Sequence, residues 1–208
     1  MNDCLNMENC WELQGNQLQI ILQNIAGSDQ LAFRQVYHCF HKKLFHFAFA
    51  LVKTKEAAEE IVEDVFIRLW NNRASITSIN NLKIYLYTAT KNTALNYLSK
   101  KARESVTEPF DNIDVELSET AISPEEILIT AEIYKNIRDA VEALPPRCKM
   151  IFKLIREDGL RYKEVAEILN ISVNTIDAQM AIAVKRIAEA VRKDFEKFPK
   201  SGVRNQAK

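Results

Sequence analysis

Glycine and proline are scarce, four and five among 208 residues, in a chain that is 47% hydrophobic and 27% charged. That balance disfavours strands joined by tight turns and favours long helices. The opening MNDCLNMENCWELQG has neither the basic start nor the continuous apolar core of a signal peptide or a membrane span. A soluble, cytoplasmic protein without membrane insertion is expected. Cys4, Cys10, Cys39 and Cys148 form no CxxC pair, which argues against a zinc knuckle and a disulfide framework and leaves reduced thiols as the expectation. No glycine-rich phosphate loop, paired-carboxylate arrangement or Ser/His/Asp set is evident, so neither an enzyme nor a cofactor is expected. All three histidines fall in HCFHKKLFH, 38–46. His38 and His41 could share a helical face, but His46 points elsewhere and no nearby carboxylate completes a site, so no metal is expected.

Charge of one sign is also missing, segment by segment. Residues 1–27 contain no Lys or Arg against 3 acids, and residues 104–126 none against 8. Residues 28–103 hold 12 Lys/Arg against 6 Asp/Glu, and residues 127–208 hold 16 against 11. The zero formal net charge thus conceals two basic blocks joined by an acidic strap. Such sorting suits two surfaces that meet a polyanion and a connection that avoids one.

Apolar residues recur near the helical period over 17–26, 29–53, 55–72 and 81–103, with Ser28 or Asp29 placed to cap the second helix. NNRASITSIN, 71–80, interrupts the pattern and reads as a loop. Residues 104–123 mix acids, proline and isolated hydrophobics without a period and read as a flexible linker. Ser123 before Pro124, Glu125 and Glu126 resembles a helix start. Beyond it, Pro146 can open a helix and Gly159 can close it. The expected fold is all-α: two small helical domains joined by a flexible acidic linker. The boundaries are an extension with a short helix over 1–27, domains over 28–103 and 124–195, and a basic tail over 196–208.

LRYKEVAEILNISVNTIDAQM, 160–180, fits a helix-turn-helix. Ala166 is small where the helices cross, Asn170 suits a left-handed turn, and Ser172 can cap the second helix. Ile176, Met180 and Ile187 would face inward, leaving Asn174, Asp177, Ala178, Ala181 and Lys185 available to a DNA groove. The plain alternative is an antiparallel helix pair. From Val65 to Arg103 there is no acid. Arg68, Arg73, Lys83, Lys91, Lys100, Lys101 and Arg103 accumulate there among Trp70, Tyr85, Tyr87 and Tyr97, a mixture suited to unpaired bases. Asn92, Asn96, Ser99 and Arg103 line up on one helical face.

These parts, in this order, resemble a sigma factor of the extracytoplasmic-function group of the sigma-70 family over about residues 28–192. EEIVEDVFIRLW, 59–70, resembles the region 2.2 helix, NNLKIYLYTATKNTALNYLSKKAR, 80–103, regions 2.3 and 2.4, and LPPRCKMIFKLIREDGLRYKEVAEILNISVNTIDAQM, 144–180, region 4. The resemblance implies a transcription initiation factor that binds bacterial core RNA polymerase, melts the −10 element of promoter DNA and reads the −35 element, with an anti-sigma factor as a further partner to look for. By resemblance, Glu60, Glu63, Asp64 and Phe66 fall on core-binding positions, with Glu63 where the family often has Gln. Residues 71–81 would help pocket a flipped base, with Arg73, Lys83, Tyr87, Lys91, Asn92, Asn96, Lys100 and Arg103 at the −10 DNA. Arg161, Lys163, Ser172, Asn174, Thr175, Asp177, Ala178, Gln179, Ala181, Lys185 and Arg186 would serve the −35 DNA. A helix-turn-helix repressor or activator with an N-terminal effector or dimerisation domain is the rival, and a degenerate sigma-like adaptor a third reading.

Overall fold

Every regular element among the described residues, 16–104 and 127–195 of the computed structural model, is a helix. The all-α expectation therefore holds. Residues 1–15, the linker from 105, the Ser123–Pro124 helix start and the tail over 196–208 lie outside the described residues. The chain divides into two units, Met1–Val115 with Lys163–Ile171 and Glu116–Tyr162 with Ser172–Lys208.

The first unit contains α1 (Asn16–Ala26), α2 (Gln30–Val52), α3 (Lys55–Asn71), a 3-10 helix (Arg73–Ser78), α4 (Leu82–Glu104) and, from Lys163 on, α7 (Tyr162–Leu169). Asp29 starts α2: its Oδ1 accepts from the N–H groups of Leu31 at 2.8 Å and Ala32 at 3.2 Å, satisfying donors that have no partner inside the helix. The preceding turn closes α1 by a paired pattern, with Asp29 N–H donating to Asn24 O and Ser28 N–H to Ile25 O, both at 2.9 Å. That pattern puts Ser28 at φ 69°, a left-handed conformation that costs a residue with a Cβ roughly 1 kcal/mol. α2 packs against α3 and α4, α3 against α4, and α1 against α2 and the 3-10 helix. The stretch expected as a loop is thus more ordered than its polarity suggests. Ser75 Oγ donates to Asn72 O and Ser78 Oγ to Ser75 O, while Ile76, fully buried, anchors the segment.

α5 (Ile127–Glu142) and α6 (Pro146–Arg156) both pack on α8 (Val173–Phe195). Val141, Leu144, Cys148 and Ala183 form their buried cluster, flanked by Ile137, Phe152 and Ile187. Pro146 occupies the first turn of α6, and Gly159 takes φ 65° beyond its end, as the sequence suggested. α7 (Tyr162–Leu169) ends on Asn170 at φ 55°, with Ile171 N–H donating to Ala166 O at 3.0 Å. Asn tolerates that conformation because its short polar side chain can bond locally.

Two features escaped the sequence. Cys39 is disulfide-bonded, contrary to the expected reduced thiols, while Cys148 is free. Bridging depends on Cα atoms approaching within about 7 Å in the fold, not on spacing along the chain. The second is a buried charge cluster. Lys149, 3% exposed, donates from Nζ to Glu142 at 3.0 Å, and Lys153 reaches the other carboxylate oxygen at 3.1 Å.

Glu142→Ala would remove the carboxylate that Lys149 and Lys153 share, leaving the buried Lys149 ammonium without its ion-pair partner and only Glu157, beside Lys153, as a nearby acid. The expected loss in urea denaturation is about 3 kcal/mol, much of it recovered by adding Lys149→Met, which removes the stranded charge and keeps the volume. A double variant no more stable than Glu142→Ala would show that the cluster is not what holds this region.

Candidate nucleic-acid and protein interfaces

The outer face of α3 is built on an aromatic layer. Tyr37 lies 4.8 Å from the Phe66 ring and 4.7 Å from His41, and Phe33 lies 5.0 Å from Trp70, centroid to centroid. Burial, and then the nearby Glu63 carboxylate, push the Tyr37 hydroxyl pKa up. Above this layer Glu60, Glu63 and Ile67 are exposed and Asp64 is half-buried, so the face is acidic with one apolar side chain at 56% exposure. Asp64 also pairs with Arg68 at 3.6 Å, an exposed pair that binds little. Phe66 does not belong to this surface. It is 3% exposed because the ring fills the space beneath Phe33 and Tyr37, so the expectation of direct partner contact fails there. Ile67 and Tyr37, which the sequence reasoning missed, lie at or beside the face instead.

α3 and α4 enclose a groove of about 230 Å³, lined by Val65, Arg68, Asn72, Tyr85, Ala89, Asn92, Thr93 and Asn96. No acid lines it. Asn92 and Asn96, one turn apart, bring amide donors and acceptors to it, Tyr85 an aromatic face, and Arg68 a guanidinium 3.5 Å from Thr93 Oγ1. Amide, aromatic ring and cation together suit an unstacked base with its phosphate. Of the other expected contacts, Lys100 and Arg103 are exposed farther along α4, and Lys83 and Lys91 are half-buried outside the groove lining. Tyr87 is fully buried, its ring 5.2 Å from Phe47, and cannot stack on a base. Arg73 is engaged internally, with Nε donating to Ser28 Oγ at 2.9 Å, Nη1 to Trp70 O at 3.0 Å, and its guanidinium 4.8 Å over the Trp70 ring. Arg68, Tyr85 and Thr93 share the face of Asn92 and Asn96, a grouping that needs the α3–α4 pairing to be known.

On α8 the wheel reading holds. Asn174, Asp177, Ala178, Ala181 and Lys185 are all exposed, while Ile176 and Met180 are buried and Ile187 is partly so. Ile182, 41% exposed, extends the methyl-rich part of this face. Arg186 is also exposed, as are Arg161 and Lys163 at the start of α7. Ser172 and Thr175 are held by the cap. Their hydroxyls lie 2.8 Å apart, and Thr175 N–H donates to Ser172 Oγ at 3.1 Å. Gln179 is half-buried and its carbonyl accepts from Cys148 Sγ at 3.2 Å. Burial raises that thiol's pKa, with Arg186 pulling weakly the other way.

Residues 36–104 match the family model for sigma-70 region 2, and residues 134–187 that for sigma-70 region 4. The chain is 24% identical over 180 residues to the ECF RNA polymerase sigma-E factor of Escherichia coli (strain K12), covering 84% of this chain and 94% of that protein. It is 24% identical over 186 residues, with the same coverage, to the ECF RNA polymerase sigma factor SigW of Bacillus subtilis (strain 168). Among solved structures it resembles the sigma factor RpoE from Bartonella quintana, crystallised with the anti-sigma factor NepR, at TM-score 0.52 and 25% identity over 78% of this chain and 98% of that one. CnrH, solved with the cytosolic domain of CnrY, shares the fold at TM-score 0.51 and 15% identity, over 85% of this chain and 97% of that one.

Asp177 is the acid nearest the start of the exposed α8 face, with Glu189 exposed three turns farther on. Asp177→Arg should raise affinity for duplex DNA of arbitrary sequence and steepen the salt dependence by about one in log–log slope. Fluorescence anisotropy across a salt series measures both, and an unchanged slope would place position 177 away from the phosphates.

Proposed function

The chain belongs to the sigma-70 family, in its extracytoplasmic-function group, and on that premise we propose how its surfaces divide the work of transcription initiation. It binds core RNA polymerase, directs it to specific promoters, melts the −10 element and reads the −35 element. We assign residues 28–103 to core binding and −10 melting, and residues 124–195 to −35 recognition. The factor acts by binding and not by catalysis, in the cytoplasm, and an anti-sigma factor such as the one bound to the Bartonella relative is a fitting partner.

Glu60, Glu63 and Asp64 present the acidic face to the polymerase, where basic partners complement it. The groove beside Asn92 and Asn96 receives an extruded base of the −10 strand. Extrusion costs a few kcal/mol, which a preformed pocket with amide and aromatic walls offsets. Lys83, Lys91, Lys100 and Arg103 track the backbone of the same strand. Asp177 and Ala178 read base edges of the −35 element, the carboxylate accepting from a cytosine amino group and the methyl packing on thymine. Asn174 and Ala181 lie alongside, and Lys185, Arg186, Arg161 and Lys163 anchor phosphates. The observation that carries this reading is the acid-free groove on α4. A repressor, which grips closed duplex, has no use for it.

The test separates duplex binding from strand opening. With holoenzyme on a promoter, Asn92→Ala with Asn96→Ala should leave the closed complex nearly intact while reducing permanganate-reactive thymines at the −10 element, since these side chains meet bases only after unstacking. Equal losses in both measurements would mean that the asparagines serve folding or duplex contact. Separately, Glu60→Lys with Glu63→Lys should weaken core binding by about 2 kcal/mol or more through new like-charge contacts, measured by competition for labelled core enzyme; unchanged affinity would remove the acidic face from that role.

A further inference from the structure

Arg73 stands at the entrance to the 3-10 segment, yet its guanidinium points inward to the α1–α2 turn. Nε donates to Ser28 Oγ at 2.9 Å and Nη1 to Trp70 O at 3.0 Å, with the plane 4.8 Å over the Trp70 ring. Two donors of the fork and its face are therefore engaged within the fold, and one side of α3 is tied to a turn 45 residues earlier.

Ser28 is the informative partner. It holds φ 69° at the turn position that glycine occupies most readily, and a glycine, Gly27, stands next to it in the sequence. A serine there accepts backbone strain and supplies a hydroxyl, and that hydroxyl meets Arg73. The same short turn closes α1 and caps α2 through Asp29. Farther along, Ile76 buries the middle of the segment where α1 packs against it. Ser75, Thr77, Ser78 and Asn80 remain exposed.

We propose that Ser28 and Arg73 form a positioning clasp that, with α1 as platform, presets the segment from Arg73 to Ser78 for capture of single-stranded promoter DNA. The clasp rests on the assignment of −10 melting to this unit. Neither residue touches the DNA. Their contribution is to hold the segment in its binding geometry beforehand, so that less ordering remains to be done on capture.

The test uses holoenzyme and a short single-stranded oligonucleotide bearing the −10 sequence that the wild-type holoenzyme selects from a randomised pool. Three clasp variants are compared: Ser28→Gly, Arg73→Lys and the two combined. Each single change should lower affinity about tenfold, the scale of a lost hydrogen bond to a charged group, and the double change should lower it no further. Ser28→Gly relieves the strained backbone, so the full chain should melt at the same or a higher temperature while binding more weakly. A residue important only for stability would not separate the two. Arg73→Lys keeps the charge and loses the fork, so the salt slope should stay unchanged. Wild-type affinity in Arg73→Lys, or a clearly additive double variant, would overturn the clasp. Asn92→Ala in the same series distinguishes the failures. If it weakens binding while the clasp variants do not, the clasp alone is wrong; if none weakens binding, the −10 assignment falls with it.

Discussion

The register of α4 governs the first unit. Leu82, Leu86, Tyr87, Thr90 and Ala94 are buried, so the helix has one rotation in which its apolar side is covered. Thr90 fits this interior because its hydroxyl donates back to Leu86 O at 2.8 Å, leaving no unpaired buried donor. With that rotation fixed, Asn92 and Asn96 face the groove beside α3. A slip of one residue would turn them by about 100° and bring Tyr87 toward solvent. The recognition surface is therefore a consequence of how the opposite side packs.

Charge is distributed by the same logic. α3 carries its carboxylates outward on one face, while the α3–α4 groove has none, and the first turns of the exposed side of α8 carry Asp177 among methyls, with Lys185 and then Glu189 beyond them. Local neutralisation is weak where it occurs, since the Asp64–Arg68 and Lys55–Glu59 pairs are exposed and contribute at most about 1 kcal/mol. The sign of each surface is thus preserved. An acidic face suits a basic protein partner, and an acid-free groove suits a nucleic-acid strand.

Local signals in the sequence proved informative where physical chemistry acts over a few residues. Asp29 as a cap, Pro146 as a helix start, and Gly159 and Asn170 in left-handed turns were all legible, because each solves a problem within its own turn. The exposed row on α8 was legible too, since Ile176 and Met180 mark its opposite side. What required the fold was any decision between neighbours from different helices. By resemblance Phe66 falls at a partner contact and Tyr87 at the DNA, and the packing of α2 against α3 and α4 shows both to be core. Arg73 looked like a phosphate contact until its partner, 45 residues away, was in view. The groove itself could not be read from α4 alone, because Arg68 and Asn72 come from α3 and the residue that follows it. Cys39 depended on a spatial neighbour that sequence spacing does not reveal.

The most direct measurement is transcription in vitro by purified core RNA polymerase with and without this chain, on a pool of templates randomised over the promoter region. The expected result is factor-dependent transcripts whose templates share two short elements at a fixed separation. Opened thymines should be confined to the downstream element. Sequence-selective binding of the chain alone to closed duplex, with no transcripts from core enzyme, would contradict the initiation-factor account and restore the repressor reading.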